Sequence, residues 1–63
     1  MKLRDLERHL RTHGATVVRE GANHTIWASA AHERRAPVPR HRDIGGNVAR
    51  AICRQLGIPD PRR

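Results

Sequence analysis

The sequence predicts an α+β domain of order α-β-β-β-α, in which two helices cover one face of a three-stranded antiparallel sheet. Three observations lead there. A leucine stripe at helical spacing opens the chain, β-branched and aromatic stretches separated by turn residues follow, and a second helical-period apolar face ends in glycine and proline.

The first helix is expected over about Lys2 to Thr12. Leu3, Leu6 and Leu10 recur at spacings of three and four, and Glu7 precedes Arg11 by four residues, the favourable order for a supporting ion pair. Gly14 supplies the left-handed residue that ends a helix. From Ala15 to Glu20 the β-branched run Thr16-Val17-Val18 reads as a strand. Gly21-Ala22-Asn23 is a turn, and His24-Thr25-Ile26-Trp27-Ala28 a second strand, so the two form a hairpin. A third strand is expected over Arg34 to Val38. Pro37 has no amide proton, which places that strand at a sheet edge or on a bulge, and Pro39 closes it. In the final helix Val48, Ala49, Ile52, Cys53 and Leu56 share a face. Asn47 is the expected N-cap, with Gly45-Gly46 left outside the helix. Gly57, Ile58 and Pro59 are its stop signals, with Ile58 folding back on Ile52 or Cys53.

Length and charge bound the function. Sixty-three residues make one domain over 1–63, with a core at about 2–58 and a short basic tail at 59–63. A chain of this size buries only about 60% of its unfolded surface, so stability is marginal or shared with a partner. No cofactor is expected. Cys53 is the single cysteine and cannot form an internal disulfide. No apolar run approaches the ~18 residues of a membrane span, and the charged first twenty residues are no signal peptide. The expectation is a soluble cytoplasmic protein without membrane association.

Thirteen Lys and Arg against six Asp and Glu give a formal net charge of +7, which points to a polyanionic partner, nucleic acid or acidic protein. Every cation except Lys2 is an arginine. The planar guanidinium fork suits phosphate, although a coding bias towards arginine produces the same skew. The clusters are Arg34-Arg35, Arg40-His41-Arg42, Arg50 with Arg54 on one helix face, and Arg62-Arg63. Cations in a loop and on the helix it leads into make a sensible phosphate site.

His24 is the residue whose type and place suggest chemistry. It follows a tight turn at the start of a strand, and imidazole exchanges protons near neutral pH. RNA cleavage needs a base to remove the 2′-hydroxyl proton and nearby cations to stabilise the charge that develops. A surface hairpin histidine with no role fits the same pattern. His9 and His13, at i and i+4, lack third and fourth metal ligands and read as a solvated helix face, so no metal site is expected. Cys53 reads as a small core residue and Trp27 as a core anchor rather than a base-stacking platform.

Taken together, Gly14, Val17-Val18-Arg19-Glu20, the run Gly21 to Trp27, Val38 to Ile44 and the stretch Ala49 to Ile58 resemble the HicA (YcfA-like) toxins of toxin–antitoxin systems. The resemblance covers about residues 2 to 58. It implies a fold similar to the double-stranded-RNA-binding domain and a ribosome-independent endoribonuclease that cleaves mRNA and halts translation. The family's catalytic histidine falls on His24. Lys2, Arg40, His41, Arg42, Arg50 and Arg54 are the expected RNA-binding residues, and His41 is the candidate for a second acid–base role. The expected partners are mRNA and a HicB-type antitoxin that covers His24, the toxin being a monomer alone and a hetero-oligomer with its antitoxin. The rival reading is a module that holds structured RNA without cutting it.

Overall fold

The leucine stripe makes α1 (Leu3–Thr12), with Leu6 and Leu10 fully buried on its inner face and Leu3 packed at the margin. The computed structural model describes residues 1–61; Arg62-Arg63, expected as part of a basic tail, lie outside the described residues. Gly14, at φ +85°, ends the helix. Its N–H donates to Arg11 O at 3.0 Å, and the Ala15 N–H donates to Leu10 O at 3.0 Å, the paired bonds of a Schellman ending. A β-carbon at position 14 would stand 2.9 Å from Ala30 Cβ. Gly14→Ala therefore combines left-handed backbone strain with a steric overlap and is expected to cost about 1–3 kcal/mol. Urea denaturation measures it, and a variant as stable as the wild type would contradict the packing described.

Three strands follow: β1 (Thr16–Glu20), β2 (His24–Ala28) and β3 (Arg35–Pro39), antiparallel in the order β1-β2-β3. The third strand is shifted one residue from the expected Arg34–Val38. Pro37 does lie on an edge strand, where its missing N–H is tolerated. The irregularity is instead in β1: Val17 pairs with Trp27 and Arg19 with Ile26, leaving Val18 as the extra residue of a bulge. All of β1 is exposed.

The second helix, α2 (Gly46–Leu56), begins earlier than the sequence suggests. Gly45 is its N-cap, not Asn47. The Gly45 carbonyl already accepts the Ala49 N–H at 2.9 Å, and the chain arrives at Gly45 in extended conformation. That conformation comes from a pairing of the chain's beginning with residues 42–44. Leu3 N–H donates to Arg42 O (2.9 Å), Ile44 N–H to Met1 O (2.6 Å), and Lys2 bridges Asp43 in antiparallel sense. At the far end, Gly57 takes φ +71°, and the Ile58 N–H donates to Cys53 O at 2.9 Å, so the expected stop is realised.

Both helices face the same side of the sheet. Leu6 and Leu10 from α1 meet Ala49, Ile52, Cys53 and Leu56 from α2 over Trp27, Ala36 and Val38, with Ile44 closing one end. Trp27 is fully buried, as a core anchor should be. Arg11 lies over its ring at 5.2 Å, and the indole N–H has no partner among the described residues.

Cys53 is buried in the same core. Burial pushes its thiol above the ordinary value, and Asp60 nearby adds in the same direction. A raised native value means that the folded chain holds this proton more tightly than the unfolded chain. The resulting stability is complete below the ordinary thiol value and is lost as pH climbs through the raised one. Between about pH 7 and about pH 10 the wild type should lose more stability than Cys53→Ala. Equal losses in paired denaturation series would contradict the assignment.

Candidate functional site

His24 begins β2 immediately after the turn that reverses the chain from β1. Its backbone is held on two sides. Gly21 N–H donates to the His24 carbonyl at 2.8 Å, and His24 pairs in register with Pro39 of β3. Arg40, just past that pairing, donates its N–H to Asn23 O at 3.2 Å. Its side chain reaches back across the sheet end, Nε donating to Thr25 Oγ1 (3.2 Å) and an Nη to Glu20 (3.0 Å). The hairpin end that carries His24 is thus tied at β1, β2 and β3, while the imidazole itself stays exposed.

The imidazole lines an open cleft of about 360 Å³. His41 and Asp43 supply its other titratable groups; Pro39, Ile44 and Val48 supply an apolar wall, with Gly45 at the turn into α2. His41 and Asp43 face the cleft, whereas Arg42 lines a separate groove of about 280 Å³ with Lys2, Arg4 and Glu7.

Of the residues expected from sequence, His41 therefore joins His24, and Arg40 stands beside them, engaged with Glu20. Lys2 and Arg42 come together in the neighbouring groove. Arg50 and Arg54 line a third hollow with Cys53, Ile58 and Asp60, apart from His24. Arg50 meets Asp60 at 3.2 Å, a partly exposed pair of small energetic worth. The 59–61 stretch is thus docked on both helices, since His9 Nε2 also lies 2.8 Å from Pro59 O. His9 and His13 stack edge-on at 4.7 Å between centroids, and no cluster of three or more His, Cys, Asp or Glu among the described residues could hold a metal ion. Glu20, Thr25, Asp43, Ile44 and Val48 were not singled out as site residues from sequence. For Glu20 the only signal was an acid at the end of the strand that precedes the turn.

The model of the family described as the HicA toxin of bacterial toxin-antitoxin systems matches residues 3–58. This chain belongs to the HicA toxin family. No curated protein and no solved structure matches it. Membership of the HicA family implies an antitoxin partner, of HicB type, encoded in the same system. No helix among the described residues is long and apolar enough to cross a membrane.

Proposed function

We propose that this HicA-family protein is a ribosome-independent endoribonuclease that cleaves mRNA, with His24 as its catalytic residue and no need for a metal ion. The observation that carries the reading is an exposed imidazole on a braced hairpin end, opening into a cleft beside a cationic groove. His24 takes the 2′-hydroxyl proton of the substrate. The arginines neutralise the phosphate backbone, and those in ion pairs still have guanidinium donors to offer. Lys2 and Arg42 form the strand-guiding surface nearest the cleft. Arg50 and Arg54 contact the backbone further away. Arg40 holds the hairpin and places a positive charge beside the reacting phosphate. A helix-and-sheet order like that of the double-stranded-RNA-binding domain suits a protein that grips RNA by shape and backbone.

The HicB-type antitoxin covers His24. Val48 is 45% exposed at the cleft wall and offers an apolar seat, while a surface of +7 draws an acidic partner. The toxin is a cytoplasmic monomer until the antitoxin joins it in a hetero-oligomer.

Expression of the chain in a bacterial host should arrest growth, and co-expression of the antitoxin encoded beside it should restore growth. Normal growth with abundant folded protein would contradict the reading. RNA affinity should also fall steeply with salt, and Lys2→Ala with Arg42→Ala should reduce the slope of log affinity against log salt by about 2. An unchanged slope in filter-binding titrations would remove both residues from the interface.

A further inference from the structure

We propose that His41 is the second acid–base residue of this site, the general acid that protonates the leaving 5′-oxygen while His24 acts as base. The inference rests on the nuclease reading above and goes beyond it by assigning the second proton transfer.

Two elements meet to make the pair. The β2–β3 register sets His24 opposite Pro39, and two residues later the chain presents His41 to the same cleft. The pairing of Met1–Leu3 with Arg42–Ile44 then holds the segment in which His41 and Asp43 line this cleft and Arg42 lines the neighbouring groove. Titratable groups facing the cleft among the described residues are His24, His41 and Asp43. Arg40 and its partner Glu20 stand at the hairpin edge. Cleavage through the 2′-hydroxyl needs one group that accepts a proton and one that gives it. An imidazole carries one nitrogen that accepts a proton and one that donates it, so two imidazoles on one cleft can supply both transfers.

The step balances with these groups alone. His24 removes the 2′-hydroxyl proton, the O2′–P bond forms, and the P–O5′ bond breaks. The electron pair leaves on O5′, which takes the proton from His41. The products are a 2′,3′-cyclic phosphate and a free 5′-hydroxyl. Proton exchange with water restores both imidazoles.

A sulfur leaving group separates the roles, because a thiolate departs without protonation. The substrate is an oligoribonucleotide spanning a linkage cut by the wild type, with oxygen or sulfur at the scissile 5′ position. His41→Ala should lose about 100-fold or more on the oxygen substrate and run near the wild-type rate on the sulfur substrate. His24→Ala should be slow on both. On the oxygen substrate the wild-type rate should fall at high pH, and His41→Ala should lose that fall. Equal losses of His41→Ala on both substrates, or none on either, would overturn the assignment while leaving the nuclease reading intact. A wild type that cuts neither RNA would overturn both. Circular dichroism and RNA affinity of each variant show whether a loss comes from unfolding.

Discussion

His24→Ala should slow RNA cleavage by about 10²–10⁴-fold while leaving RNA affinity within a factor of a few. The size follows from what the imidazole does. Without it the 2′-hydroxyl must give its proton to water or to a poorly placed neighbour, and only the electrostatic help of the arginines remains. Binding survives because the phosphate contacts come from other side chains, most of them on other elements. Lys2 and Arg42 share a groove on the far side of the 41–44 segment, and Arg50 and Arg54 lie on α2. The fold should survive too. The His24 side chain is exposed, and what fixes this part of the hairpin is main-chain bonding to Gly21, pairing with Pro39 and the reach of Arg40. Single-turnover cleavage and filter binding read the two quantities separately. Parallel loss of both would mean that His24 only holds RNA.

Trp27→Ala should abolish cooperative folding of the isolated chain. Trp27 is fully buried where both helices meet the sheet, and truncating such a side chain costs about 3–5 kcal/mol. A chain of this length has only about 3–9 kcal/mol in total. Trp27→Phe should cost much less, because a phenyl ring fills most of the space and the unpartnered indole N–H is gone. Urea transitions followed by circular dichroism measure both. A Trp27→Ala protein within about 1 kcal/mol of the wild type would mean that the core does not depend on this ring.

The elements legible in the sequence are those whose determinants lie within a few residues of one another. Leu3, Leu6 and Leu10 specify α1 by spacing alone, and Gly14 and Gly57 end their helices by local hydrogen bonds that need a left-handed residue. Pro37 confines its strand to a sheet edge or a bulge because a missing donor cannot be hidden in a sheet centre, and the strand order puts it at the edge. What was not legible depends on distant partners. Nothing in the run from His41 to Ile44 signals that it pairs with the first three residues, yet with that pairing the N-cap of α2 is Gly45 and not Asn47. Arg40 reads as one more cation in a basic cluster, and only the closed sheet turns it towards Glu20. His24 could be singled out from its turn. Its shared cleft with His41 required the β2–β3 register, which no spacing along the chain reveals.

The most direct test is incubation of the purified wild-type chain with an end-labelled mRNA in EDTA, without ribosomes. Discrete fragments that are absent with His24→Ala are the predicted result. Intact RNA with both proteins, together with a salt-sensitive gel shift, would contradict it and leave a protein that binds RNA without cutting.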